Sequence, residues 1–217
     1  MPIQTLFTDP GGYFLMVVCM IPGVIISLTF RQYVQALVST KLGDPTPRNM
    51  GRLTLNPVSH VDPIGLVLMF TIGFGLVKPV INNPAYYKNK RMGQVLFSLS
   101  GILTNFVIAL LFYPVWILLI RAGVTNMIIL DMIQYCILRN ISLMVFYLMP
   151  VPPLDGYRIV KAIFMTSPKA MNFFWQVERL GTLPLWIVIL TNAGSTWILS
   201  LSQLVLNLIY SFWRFLM

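Results

Sequence analysis

Histidine is nearly absent from this 217-residue chain, which has one, His60, alongside two cysteines and six acidic residues. A lone imidazole is poor provision for a zinc site, which usually draws on more than one. Cys19 and Cys136 are isolated, with no Cys-x-x-Cys spacing, and both fall within apolar runs. That excludes a disulfide framework or a zinc knuckle and leaves them as small packing residues. No basic segment precedes the first apolar run, where Asp9 is the only charged side chain, so a cleaved secretory signal is not expected. No internal repeat is visible. Charged residues make up only 10% of the chain, too few for a soluble globular protein.

What is present is hydrocarbon. The chain is 57% hydrophobic with a mean hydropathy of +0.79. Residues 13–30, 94–120 and 180–213 contain no Asp, Glu, Lys, Arg or His, and a bilayer core needs about 20 apolar residues to cross. The pattern predicts an all-α polytopic membrane protein, a single integral domain over residues 1–217. A long first helix is expected over 11–42, ending at Gly43-Asp44-Pro45, with Pro22-Gly23 placed to bend it. A second span covers 92–120, with Gly101 and Asn105 on one face, suited to close packing and an interhelical hydrogen bond. A third, over 126–149, carries Asp131 and Arg139. The run 180–213 would be about 50 Å long as one helix, so a break is expected near Asn192-Ala193-Gly194-Ser195, leaving open a helix plus a span or a hairpin of two spans. Between the first two spans, 51–57 alternates weakly and predicts a short strand limited by Pro57. The glycine-rich run 63–77 predicts a re-entrant segment.

The net charge of +9 is scattered through the loops between these runs, which fits lipid head groups rather than nucleic acid. Lys41, Arg48 and Arg52, then Lys78, Lys88, Lys90 and Arg91, then Arg158, Lys161, Lys169 and Arg179 mark the loops 43–62, 78–91 and 150–179 as cytoplasmic. The amino terminus is then expected outside.

Two stretches carry the chemistry. One is the loop Met149-Pro150-Val151-Pro152-Pro153-Leu154-Asp155-Gly156. The other is the polar end of the first helix, Phe30-Arg31-Gln32-Tyr33-Val34-Gln35-Ala36-Leu37. With Leu42-Gly43-Asp44-Pro45-Thr46, Gly51 to Pro57, His60 to Gly65, Gly73-Phe74-Gly75, Lys78-Pro79-Val80 and Gly101 to Asn105 in the same order, the chain resembles the site-2 protease family of intramembrane zinc metalloproteases over roughly residues 15–165. The resemblance implies a core of about three spans plus a re-entrant segment, followed by one or two C-terminal helices over 180–213.

In that family the helix carries His-Glu-x-x-His, and the loop aspartate is the third zinc ligand. Here Arg31, Gln32 and Gln35 occupy the helical positions, while Asp155 is kept. An arginine offers no lone pair, and a glutamine cannot take the proton that a zinc-bound water releases. No zinc or other cofactor is therefore expected. Tyr147 stands where the family usually has an asparagine before the loop, and Ile102 follows Gly101 where the family has proline.

An isolated charge among apolar groups is costly, and a bidentate arginine–carboxylate pair offsets much of that cost. The resemblance sets both Arg31 and Asp155 where they would face the zinc, so Arg31 is expected to pair with Asp155, with Gln32, Gln35 and Asn105 completing a polar network. The resulting reading is a catalytically inactive homologue that binds another membrane protein's segment in a groove formed by Pro152, Pro153, His60 and residues 63–80. The alternatives are an active metalloprotease with a metal site rebuilt at Asp155 and His60, and a small transporter component using Asp131, Arg139 and Asp155.

Overall fold

A computed structural model describes residues 7–60, 65, 67 and 80–216. Among them there is no strand, and four helices are long and apolar enough to cross a membrane. The protein is an all-α, multi-pass membrane protein. Helix α1 spans Pro10–Lys41, α2 Lys90–Arg121 and α3 Met127–Leu148. The short helices α4 (Asp155–Phe164), α5 (Pro168–Arg179) and α6 (Leu183–Leu190) lead to α7, Asn192–Leu216.

The helix starts follow from their capping residues. The Asp9 carboxylate accepts from the Gly12 amide at 3.0 Å and Pro10 opens α1. Asn89 and Asn126 accept from the amides of Met92 and Ile128 at the starts of α2 and α3. Each satisfies a donor that the first helical turn leaves free. Gly43, at φ +105°, lets the chain turn away from the end of α1.

Helix α1 crosses α3 closely. A Cβ on Gly23 would lie 2.7 Å from Cys136 Cα, so only glycine permits this approach. Both cysteines are buried and free, packed as small side chains. The core joins Met20, Val24 and Leu28 of α1 to Ile102 of α2 and Leu143 and Phe146 of α3, with Leu154, Leu185 and Ile198 completing it. A second cluster, Ala109, Tyr113, Ile137, Ile141 and Ile209, packs α2 and α3 against α7. There the Trp213 indole donates to the Leu110 carbonyl at 2.9 Å.

One expectation changes. The strand over 51–57 does not form. Thr46–Asn49 is a single helical turn, Gly51 takes φ +66°, and Pro57–Ser59 is a 3-10 turn capped by Asn56, whose side chain accepts from Val58 N at 3.1 Å. Asparagine followed by proline favours the turn over a ladder that proline cannot join. The C-terminal run breaks at Thr191, beside the expected position, into the eight-residue α6, about 12 Å long, and the long α7. Helices α5 and α6 meet at a bend of 69°. The re-entrant segment expected over 63–77 lies outside the described residues, apart from Gly65 and Val67.

Candidate functional site

Arg31, Gln32 and Gln35 lie in the last third of α1, facing inward. One turn separates Arg31 from Gln35, so both reach the same neighbour on one face of the helix. That neighbour is Asp155, the first residue of α4. A carboxylate at this point also meets the favourable end of the helix dipole. The turn that places it requires Gly156, because a Cβ there would lie 2.1 Å from the Leu148 carbonyl oxygen.

The Arg31 guanidinium donates through Nη2 to Asp155 Oδ2 in a buried ion pair, and Gln35 Nε2 donates to the same oxygen at 3.0 Å. Arg31 and Asp155 are only 5% and 4% exposed. The Tyr147 ring lies beneath the guanidinium, with Arg31 Cζ 3.4 Å from its centroid. A cation over an aromatic face gains further electrostatic stabilisation when both are out of water. Arg31 Nε is buried with no hydrogen-bond partner among the described residues. Gly101 makes room for this arrangement: its own Cβ would fall 2.6 Å from Gln35 Nε2.

The network differs from the expected one at two members. Gln32 does not join Asp155. It turns to His60 instead, donating through Nε2 to the His60 carbonyl at 3.0 Å, with Oε1 3.3 Å from Nδ1 of the ring. Asn105 is fully buried, yet neither end of its amide has a partner among the described residues, so the expected interhelical hydrogen bond is not made.

His60 does not line an open groove. It is fully buried, and its Nε2 lies 2.6 Å from the Thr54 carbonyl oxygen, to which it donates. A metal site rebuilt on His60 and Asp155 would need both residues released from these partners. Pro152 is buried as well, while Pro153 is exposed. Asp131 and Arg139 are partly buried on α3, two turns apart, whereas Asp155 is taken up by Arg31 and Gln35.

A second polar cluster, beside the site, was not legible as a unit. Asp44 is fully buried and accepts from Ser39 Oγ at 2.9 Å, Thr46 N at 2.9 Å and Asn83 N at 2.7 Å. Burial pushes its carboxyl upward, but hydrogen bonds from Thr46, Asn83 and Ser39 outweigh that and hold it below its ordinary value. Ser39 also meets the Tyr87 hydroxyl at 2.7 Å, and Asn82 donates to the same hydroxyl at 3.0 Å. Burial is the leading cause of the raised Tyr87 phenol.

The chain is 32% identical over 177 residues to the protein named "Putative zinc metalloprotease YwhC" of Bacillus subtilis, covering 79% of this chain and 80% of that protein. The chain belongs to the site-2 protease family. A further relative, "Putative zinc metalloprotease Rip2" of Mycolicibacterium smegmatis, is 25% identical over 199 residues, 88% of this chain and 74% of that protein. No family model and no solved structure matches the chain.

Zinc is the cofactor of this family, and the donors gathered here do not fit it. Where the site-2 protease pattern has an imidazole, this chain puts a guanidinium, and that guanidinium sits on the one carboxylate retained. Among the described residues, no three His, Cys, Asp or Glu side chains come together as a metal-binding group. A dication beside Arg31 would also face a positive charge at contact distance.

Proposed function

We propose that this protein is a catalytically inactive member of the site-2 protease family, a pseudoprotease that keeps the membrane scaffold and binds a segment of another membrane protein without cutting it. The observation that carries this reading is the buried Arg31–Asp155 pair, which joins the end of α1 to the start of α4 through side chains alone. The residue that stands in the general-base position, Gln32, is engaged with His60 and has no basic character to offer. Within this reading residues 1–217 act as one membrane domain. The amino terminus lies outside, and the loops 43–62, 78–91 and 150–179 face the cytoplasm. Pro153, exposed beside the Asp155 turn, is the point nearest the site at which a bound segment makes contact.

Metal content separates this reading from an active enzyme. Purified in detergent, the wild type and Asp155→Ala are expected to carry far less than one zinc per chain. Near-stoichiometric zinc that disappears in Asp155→Ala would sink the proposal. A gain-of-function arm guards against a trivial loss of metal during purification: Arg31→His, Gln32→Glu and Gln35→His introduced together should raise zinc retention well above wild type. For the binding half, a photo-crosslinker in place of Pro153 is expected to capture the transmembrane segment of another protein. Labelling of lipid alone would remove that half.

A further inference from the structure

A cavity of about 460 Å³ opens between the start of α2, the outer face of α4 and the end of α5. Asn82, Lys90, Arg91, Gln94, Arg158 and Lys161 line it, and among the described residues Glu178 is the one carboxylate on its wall. Glu178 is already used, since its Oε1 accepts from Lys161 Nζ at 2.6 Å. Among the described residues, no carboxylate comes within ion-pairing distance of Lys90, Arg91 or Arg158. Neutral groups contact two of them instead. Arg91 Nη2 donates to the Met165 carbonyl at 3.4 Å, and Arg158 Cζ lies 5.9 Å from the centroid of the Phe97 ring. Asn82 and Gln94, on the same wall, are bonded to each other at 3.0 Å. The cavity is thus a concave site with three uncompensated cations and two amides, which is the chemistry that recognises a phosphate ester.

What surrounds it says where that phosphate comes from. Met92, Leu96, Leu103 and Val107 are all exposed along α2, beginning one residue beyond Arg91. Spaced by four, seven and four residues, they form one apolar stripe on the face of α2 opposite Lys90, Arg91 and Gln94, which sets the start of this helix at the edge of the bilayer. Phe164, Phe173 and Trp175 on α4 and α5 are 61%, 61% and 64% exposed. Large aromatics next to basic residues at the end of a membrane span belong at the headgroup level of a bilayer. A basic cavity held at that level faces the phosphates of the bilayer itself.

From this arrangement we infer that the cavity binds the headgroup of one anionic phospholipid. Arg158 lies one turn beyond Asp155 on α4, so an occupied cavity fastens to α2 the same short helix that carries Asp155. The site is separate from the Arg31–Asp155 pair and does not depend on whether the protein cuts peptide bonds.

The test uses the full-length protein, delipidated in detergent and titrated with phosphatidylglycerol or phosphatidylcholine of matched acyl chains, with bound lipid counted by native mass spectrometry. The wild type should retain one phosphatidylglycerol in preference to phosphatidylcholine by about thirtyfold or more, the scale that two or three cations near a headgroup supply. Lys90→Gln with Arg91→Gln, both exposed in the first turn of α2, should remove most of that preference. Lys41→Gln with Arg48→Gln, cations exposed outside the cavity, should leave it intact. Equal retention of the two lipids by the wild type, which needs no variant to fold, would overturn the proposal. So would equal losses in the two charge-removed pairs. If glycerol 1-phosphate displaces phosphatidylglycerol at matched concentration, the ligand is a soluble phosphate ester and the lipid assignment fails.

Discussion

The guanidinium of Arg31 stacks on the ring of Tyr147 at 3.4 Å while it donates to Asp155. Two departures from the family pattern, one in the helix and one before the loop, therefore meet in a single contact. Tyrosine at that position gives the arginine a platform that the family's asparagine would not. The pair and its platform lie where the two halves of a family-type metal site would converge.

Removing one partner of a buried ion pair leaves the other uncompensated, which costs about 3–5 kcal/mol. Arg31→Ala and Asp155→Ala are each expected to destabilise the protein by that order. The double variant should cost far less than the sum, because the second substitution removes a charge that the first had orphaned. Thermal unfolding of the three variants in one detergent checks this; strict additivity would show that the two residues act independently.

Tyr147→Phe keeps the aromatic face and should be close to neutral. Tyr147→Leu loses it and is expected to cost about 1–2 kcal/mol at this desolvated site. Most of that loss should vanish in an Arg31→Met background, a difference that a double-mutant cycle measures directly.

Gly101→Ala would bring a methyl to 2.6 Å from Gln35 Nε2, and the glutamine can yield only by leaving Asp155. A destabilisation of about 1–3 kcal/mol is expected from the overpacking. Combining it with Gln35→Ala should relieve the clash, so that Gly101→Ala costs little in that background.

The Asp44 carboxyl is held below its ordinary value in the folded protein. Its contribution to stability is therefore complete above the unfolded value, near about 4, and is lost as pH falls through the lower folded value. The difference in Tm between wild type and Asp44→Asn should be largest at neutral pH and shrink under acid. A difference that grows on acidification would contradict the assignment.

The spans were legible because bilayer length and uncharged runs constrain each other: α1, α2 and α3 begin and end within three residues of the limits that the runs implied. The contact of Arg31 with Asp155 was legible too, from the cost of leaving either charge alone and from the resemblance that sets both at the family's zinc position. Tyr147 was not, because an aromatic inside an apolar span reads as packing, and nothing in its spacing marks the cation above it. Gln32 and Gln35 looked equivalent in sequence, yet their different directions from α1 send one to His60 and the other to Asp155. The Ser39–Asp44–Tyr87 cluster escaped because its members are far apart in the chain, and Gly-Asp-Pro signals only a turn. Leu53-Thr54-Leu55 misled because alternation over so few residues yields to the Asn-Pro that follows it.

The Asp44 carboxylate accepts from the Asn83 amide, 39 residues later in the chain, at 2.7 Å. The long connection from α1 to α2 thus leaves and returns through one clasp beside the end of α1. Lengthening a closed loop adds entropy cost only slowly, about 0.6 kcal/mol for each doubling. Closing the connection at its base therefore leaves its length a small term in the stability of the helical frame.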